Sequence, residues 1–196
     1  MRDTLRAMFP LNVPNVLTVL RILLVPVLVV ALLDETPNGD LFAAIVFVVA
    51  SLTDLLDGYL ARSRNAITTF GKLMDPIADK LLIVAALVSL VSLGRVAAWV
   101  AMVIIAREFA VTASRMAATQ QGVVMQASMF GKAKTCFQIA AVLALIAAGD
   151  PTPTWVDALV YVTVAVTVAS GADYFFGLRR RLGERDRAAA ADGNGA

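Results

Sequence analysis

Residues 54–79, DLLDGYLARSRNAITTFGKLMDPIAD, place Asp54, Asp57, Asp75 and Asp79 where two apolar runs meet a short basic turn. An ionised carboxylate carried into hydrocarbon costs about 3 kcal/mol on insertion scales. Four of them beside one turn therefore need a compensating charge, and the runs on either side say what kind of fold they sit in.

Those runs are long. The chain of 196 residues is 59% hydrophobic and 16% charged, with a mean hydropathy of +0.78, outside the usual range of a water-soluble domain. Apolar stretches able to cross roughly 30 Å of hydrocarbon fall at 13–33, 41–60, 73–93, 96–118, 133–148 and 154–178. The expected architecture is all-α, a polytopic membrane protein with six transmembrane helices and no internal repeat. Residues 1–11, MRDTLRAMFPL, read as a short interfacial segment. Residues 12–178 read as the helical domain, and 179–196 as a basic stretch followed by a disordered tail. The first apolar run contains Arg21 and Pro26 and leads to no small-residue cleavage site, unlike a cleavable signal sequence.

Charge sets the sidedness. Arg2 and Arg6, then Arg62, Arg64 and Lys72, then Lys132 and Lys134, then Arg179, Arg180, Arg181, Arg185 and Arg187 lie on alternate sides of the runs. The intervening connections carry only Arg95. The positive-inside rule then puts both termini and residues 54–79 on the cytoplasmic side. A net charge of +2 gives no reason to expect nucleic acid as a partner. The absence of histidine excludes histidine-based nucleophilic catalysis and His-ligated zinc. Cys136, the sole cysteine, excludes an internal disulfide and reads as a small core residue.

Asp54 and Asp57 are three residues apart and Asp75 and Asp79 four apart, so each pair shares a helix face. In two antiparallel helices the deep members, Asp54 and Asp79, meet at similar depth, as do Asp57 and Asp75. Converging carboxylates repel at low dielectric. Hard oxygen donors in this number suit one or two Mg²⁺, Mn²⁺ or Ca²⁺ ions. Helix caps or interfacial charges would explain any one aspartate, but not four at matched face and depth. Gly58, Ala61 and Gly71 leave room for close approach, and Pro76 suits an early helical turn. Two such ions form a clamp for phosphoryl transfer, with a pyrophosphate or phosphodiester as the expected substrate.

The spacing Asp54-x-x-Asp57-Gly58-x-x-Ala61-Arg62, eight residues, Gly71-x-x-x-Asp75-x-x-x-Asp79 resembles the signature of the CDP-alcohol phosphatidyltransferase family. The resemblance implies a six-helix membrane fold, a homodimer, and transfer of a phosphatidyl group from CDP-diacylglycerol to an alcohol with release of CMP. It implies that Asp54, Asp57, Asp75 and Asp79 ligate Mg²⁺ or Mn²⁺, two ions in all, and that Asp79 is the base that deprotonates the acceptor hydroxyl. Gly58, Ala61, Arg62, Thr68 and Gly71 resemble positions that bind CDP-diacylglycerol, and Pro14, Asn15 and Thr18 of the PNVLT run resemble the first helix's share of that pocket.

The run 106-AREFAVTASR-115, followed by 131-GKAKT-135 and Gln138, resembles the fourth and fifth helices of the phosphatidylglycerophosphate synthase branch, which implies sn-glycerol 3-phosphate as acceptor. From the residues themselves, Arg107, Arg115, Lys132 and Lys134 form a basic set suited to a phosphate, or serve as ordinary positive-inside charges. Glu108 is expected to bond a neighbouring helix or a substrate hydroxyl rather than Arg107, since adjacent residues face different ways. Arg21, deeper in the first run, is a further acceptor contact. Three competing functions are a cardiolipin synthase using CDP-diacylglycerol and phosphatidylglycerol, a family member acting on an inositol phosphate, and a Mg²⁺ transporter. The expected location is a bacterial inner membrane, among membrane lipids.

Overall fold

A computed structural model describes the backbone of residues 13–34, 36, 38–64, 69–120 and 129–193, and the side chains of 16–34, 36, 38–53, 80–120, 131 and 133–184. Among the described residues there are six α-helices and no strand: α1 (Val13–Leu33), α2 (Gly39–Arg64), α3 (Thr69–Ser92), α4 (Ala98–Gln120), α5 (Met129–Ala148) and α6 (Thr154–Gly193). Each expected apolar stretch has one helix as its counterpart. The last helix does not end at Leu178; its backbone continues through the basic segment, expected as a tail, to Gly193.

Helix α1 packs on α2 and α3, α4 packs on α3 and α6, and α5 joins the two groups by touching α2, α3 and α6. Leu28, Phe47, Leu87, Leu90, Leu145 and Ile146 form the centre of one continuous apolar core. Many large apolar side chains among the described residues also face outward. Val30 is 67% exposed and Phe176 72%, and Leu23, Leu41, Met102 and Trp155 also point outward. Contiguous apolar surface on this scale is costly in water and matches hydrocarbon. By length and composition α1, over Val16–Leu33, and α6, over Thr154–Glu184, can each cross a membrane, while Gly39–Thr53, Lys80–Ser92 and Ala133–Ala148 are shorter apolar stretches. Trp99 and Trp155 stand near the starts of α4 and α6, and Trp99 stacks on Tyr161 at a centroid distance of 6.2 Å. Aromatic residues at helix ends are the arrangement favoured at a membrane interface.

The end of α3 shows how a local conformation sets a tertiary contact. Gly94 adopts φ 72°, a left-handed conformation that glycine enters without steric cost. The Arg95 amide donates to the Leu90 carbonyl at 3.0 Å and the Gly94 amide to Val91 at 3.0 Å, the paired bonds of a Schellman ending. The chain reversal carries Arg95 against Asp40, whose carboxylate accepts two guanidinium bonds at 2.7 and 2.9 Å. Arg95 also donates to the Ile146 carbonyl at 3.4 Å. One side chain thereby joins the start of α2, the end of α3 and the end of α5. Asp40, which reads from sequence as a loop residue, lies in the first turn of α2, where a carboxylate complements the helix dipole.

Helix α3 starts earlier than its sequence suggests. With Thr69 as its first residue, Pro76 falls in the third turn instead of the first. Pro26 likewise lies inside α1, where neighbouring helices and local adjustments of the backbone can re-satisfy the carbonyl that a missing amide donor frees.

Candidate functional site

Asp54 stands ten residues before the end of α2 at Arg64, and Asp79 ten residues after the start of α3 at Thr69. Asp57 and Asp75 stand seven and six residues from the same ends. Each pair is thus one helical turn apart in a segment whose backbone is helical. The side chains of these four aspartates, and those of Pro14, Asn15, Ala61, Arg62 and Lys132, lie outside the described residues, as do the surroundings of Gly58 and Gly71. Thr68 lies outside them altogether. Thr18 is described, and is buried in α1 one turn before Arg21.

The described part of the site is organised by Glu108, a carboxylate only 4% exposed near the middle of α4. Its Oε2 lies 2.9 Å from the Lys80 Nζ of α3. Its Oε1 accepts a hydrogen bond from the Lys134 Nζ of α5. Glu108 therefore ties together three helices, as expected of a residue that bonds its neighbours. The expectation that it would avoid Arg107 is corrected: Arg107 Nη1 donates to the same carboxylate at 3.3 Å. Although adjacent Cβ atoms diverge, a guanidinium on a three-carbon stem is long enough to turn back along the helix.

Beside this carboxylate lies a cavity of about 160 Å³, the liquid volume of roughly five water molecules. Arg21, Lys80, Glu108 and Lys134 supply its charged lining, Ser51 and Gln138 add polar atoms, and Leu82, Ile83 and Ile139 form an apolar wall. Thr135 and Cys136 complete it, and Cys136, expected in the core, is exposed. Among the described residues the lining holds three basic side chains and one carboxylate, a predominantly basic set that suits an anion. Arg21 and Lys134 are 1% and 5% exposed; charges so buried are stable only when compensated by partners or by a ligand. The cavity borders the aspartates in the chain, because Ser51 precedes Asp54 by one turn of α2 and Lys80 directly follows Asp79.

Arg107 and Arg115 are placed differently from Lys134 and are not among the residues lining this cavity. Arg107 Nη2 donates to Ser170 Oγ of α6 at 2.5 Å. A Cβ built on the adjacent Gly171 would stand 3.2 Å from Arg107 Cγ, so glycine makes room there for the arginine stem. The Arg115 guanidinium carbon sits 5.7 Å from the centre of the Tyr174 ring, within the range of a cation–π contact. Both arginines thus join α4 to α6.

The structure gathers Arg21, Glu108 and Lys134 from the expected site residues. It adds Lys80 and Ser51, which sequence reasoning left outside the binding set. Their signal was position, since each stands within one turn of an aspartate. Ser170, Gly171 and Tyr174 were also missed; a pair of small residues and a tyrosine one turn on, in an otherwise apolar run, mark where an arginine of a neighbouring helix finds its partner.

Residues 11–169 match the model of a family described as CDP-alcohol phosphatidyltransferase. A Bacillus subtilis protein named CDP-diacylglycerol–glycerol-3-phosphate 3-phosphatidyltransferase is 43% identical, covering 84% of this chain and 93% of its own. A Mycobacterium tuberculosis protein named probable phosphatidylglycerophosphate synthase is 39% identical, covering 88% and 84% respectively. A Rickettsia bellii protein with the same name as the Bacillus one is 34% identical over 84% of this chain and 93% of its own.

Proposed function

The chain belongs to the CDP-alcohol phosphatidyltransferase family, and from that premise we propose that it transfers the phosphatidyl group of CDP-diacylglycerol to sn-glycerol 3-phosphate, giving phosphatidylglycerophosphate and CMP. The names of its relatives support both substrates. The observation that carries the acceptor assignment is the cavity lined by Arg21, Lys80, Lys134 and Glu108. Among the described residues this lining is predominantly basic, as suits a phosphomonoester, which is largely dianionic near neutral pH. A three-carbon phosphate suits a cavity of this size, whereas a diacyl acceptor would have to keep its chains outside it.

The donor set of Asp54, Asp57, Asp75 and Asp79, all oxygen and spaced by one turn on two helices, fits Mg²⁺ or Mn²⁺. These residues would hold the metal, one ion or two, which when bound supplies charge neutralisation to the pyrophosphate. Lys80, Lys134 and Arg21 hold the acceptor phosphate, and Glu108 keeps the two lysines in place. Asp79 takes the proton of the acceptor's primary hydroxyl as its oxygen bonds to the phosphatidyl phosphorus and the bond to CMP breaks. The nucleotide falls to Pro14, Asn15, Thr18, Gly58, Ala61, Arg62, Thr68 and Gly71. Arg107 and Arg115 serve the site indirectly, by fixing α6 to α4.

All six helices span the membrane in this proposal, with both termini and the aspartates on the cytoplasmic side of a bacterial inner membrane. Supporting this are the apolar outer surface and the lysine and arginine distribution. Homodimerisation rests on the family resemblance. The test is a panel of labelled acceptors offered to the detergent-solubilised chain with CDP-diacylglycerol and Mg²⁺. Glycerol 3-phosphate should enter lipid with stoichiometric release of CMP. Incorporation only from phosphatidylglycerol would move the assignment to cardiolipin synthesis, and incorporation only from inositol phosphate to that branch.

A further inference from the structure

The polar cavity contains two atoms that a phosphate does not account for. Ser51 Oγ and Gln138 Oε1 have no hydrogen-bond partner among the described residues, although their residues are only 8% and 3% exposed. Both line the cavity. A buried polar atom left without a partner costs about 1–3 kcal/mol, so two of them in one small space point to a ligand group that satisfies them. An amide and a hydroxyl can each donate to or accept from an alcohol, whichever way the amide is turned.

Their position says which part of the ligand they meet. Gln138 stands one turn beyond Lys134 on α5, roughly 6 Å farther along the axis, and it also borders the small apolar space behind, lined by Leu87, Val142 and Thr163. Ser51 stands one turn beyond Asp54, on the side away from the end of α2. The lysines are thus at one level, and the unsatisfied pair lies one turn deeper, on two helices that touch. A three-carbon phosphate held at its phosphate by the lysines spans that distance with its carbon chain against Ile83 and Ile139.

Resting on the acceptor assignment made above, we infer that Gln138 and Ser51 are specificity-determining residues that read the secondary hydroxyl, on C2, of a phosphorylated polyol acceptor. The primary hydroxyl is left for attack. Acceptors that carry a phosphate and a primary hydroxyl but lack the neighbouring alcohol are discriminated against, because they leave both buried atoms unpaired. A site built to bond a hydroxyl rejects the analogue lacking it more strongly than an apolar pocket rejects a missing methylene.

The experiment compares sn-glycerol 3-phosphate with 3-hydroxypropyl phosphate, which has the same phosphate and the same primary hydroxyl but no C2 alcohol. Both are offered with CDP-diacylglycerol to the full chain in detergent. The wild-type protein should favour glycerol 3-phosphate in kcat/KM by about 10- to 100-fold. Gln138→Leu and Ser51→Ala should each lower kcat/KM for glycerol 3-phosphate by about 10-fold, while leaving the analogue within about twofold. A wild-type protein that uses both acceptors equally overturns the inference without any variant. So do variants that lose both acceptors by the same factor, the pattern of a packing defect. A wild-type protein that uses neither, yet turns over another alcohol, refutes the acceptor assignment itself and this inference with it.

Discussion

Glu108→Gln removes one negative charge from among three cations while preserving the shape of the side chain. Lys80 lies 2.9 Å from the carboxylate and Arg107 3.3 Å, and Lys134 is hydrogen-bonded to it. At an effective dielectric near 20, each such contact carries about 5 kcal/mol of Coulomb attraction before desolvation is subtracted. Stripping the partner from a buried charge costs about 3–5 kcal/mol net, and here three cations lose the same partner. Lys134→Met is the control. It leaves Glu108 with Lys80 and Arg107, and its cost should be about 1–3 kcal/mol. For a chain of this size 1 kcal/mol shifts Tm by about 2–4 °C. Thermal unfolding in detergent, followed through Trp99 and Trp155, should therefore show a drop of about 6–20 °C for Glu108→Gln and a clearly smaller one for Lys134→Met. Equal losses, or a larger loss for Lys134→Met, would refute the view that the carboxylate organises the cations.

The remaining expectations concern the two ends of the bundle. Arg95→Ala breaks the bidentate contact with Asp40 and should lower stability by about 1–3 kcal/mol, with kcat/KM for both substrates unchanged because the contact is remote from the cavity; a raised acceptor KM would count against that separation. Asp79→Asn should reduce turnover by a factor of about 10² to 10⁴ while CDP-diacylglycerol still binds in equilibrium dialysis with Mg²⁺. Normal turnover in that variant would remove Asp79 from the role of base. Chelation of divalent cations should abolish transfer and added Mg²⁺ restore it, and activity that survives chelation would exclude the aspartates as a metal site.

Much of this protein is legible along the chain. Apolar runs separated by short charged or turn-forming segments determine an all-helical fold, because in hydrocarbon a helix satisfies its own backbone. The pairing of the aspartates at 54, 57, 75 and 79 by helix face is legible from spacing alone, since one-turn intervals are a property of a single helix and need no knowledge of neighbours. Arg21 is also recognisable as a charge deep in an apolar run, whereas Lys134, at the start of its run, reads equally as an ordinary positive-inside charge.

The partners of those charges were not. Arg107 and Arg115 read as phosphate ligands by residue type; they meet Ser170 and Tyr174 on α6, and Arg107 also reaches Glu108, contacts that depend on how α4 packs against α6. Lys80 becomes part of the site only because α3 and α4 pack so that it meets Glu108. Ser51 and Gln138 acquire meaning only as unsatisfied neighbours across two helices. Even Arg95 reaches Asp40 through a left-handed glycine that redirects the chain. Helical periodicity determines which residues share a face; which face meets which depends on how six helices pack, and that is a property of contacts distant in sequence.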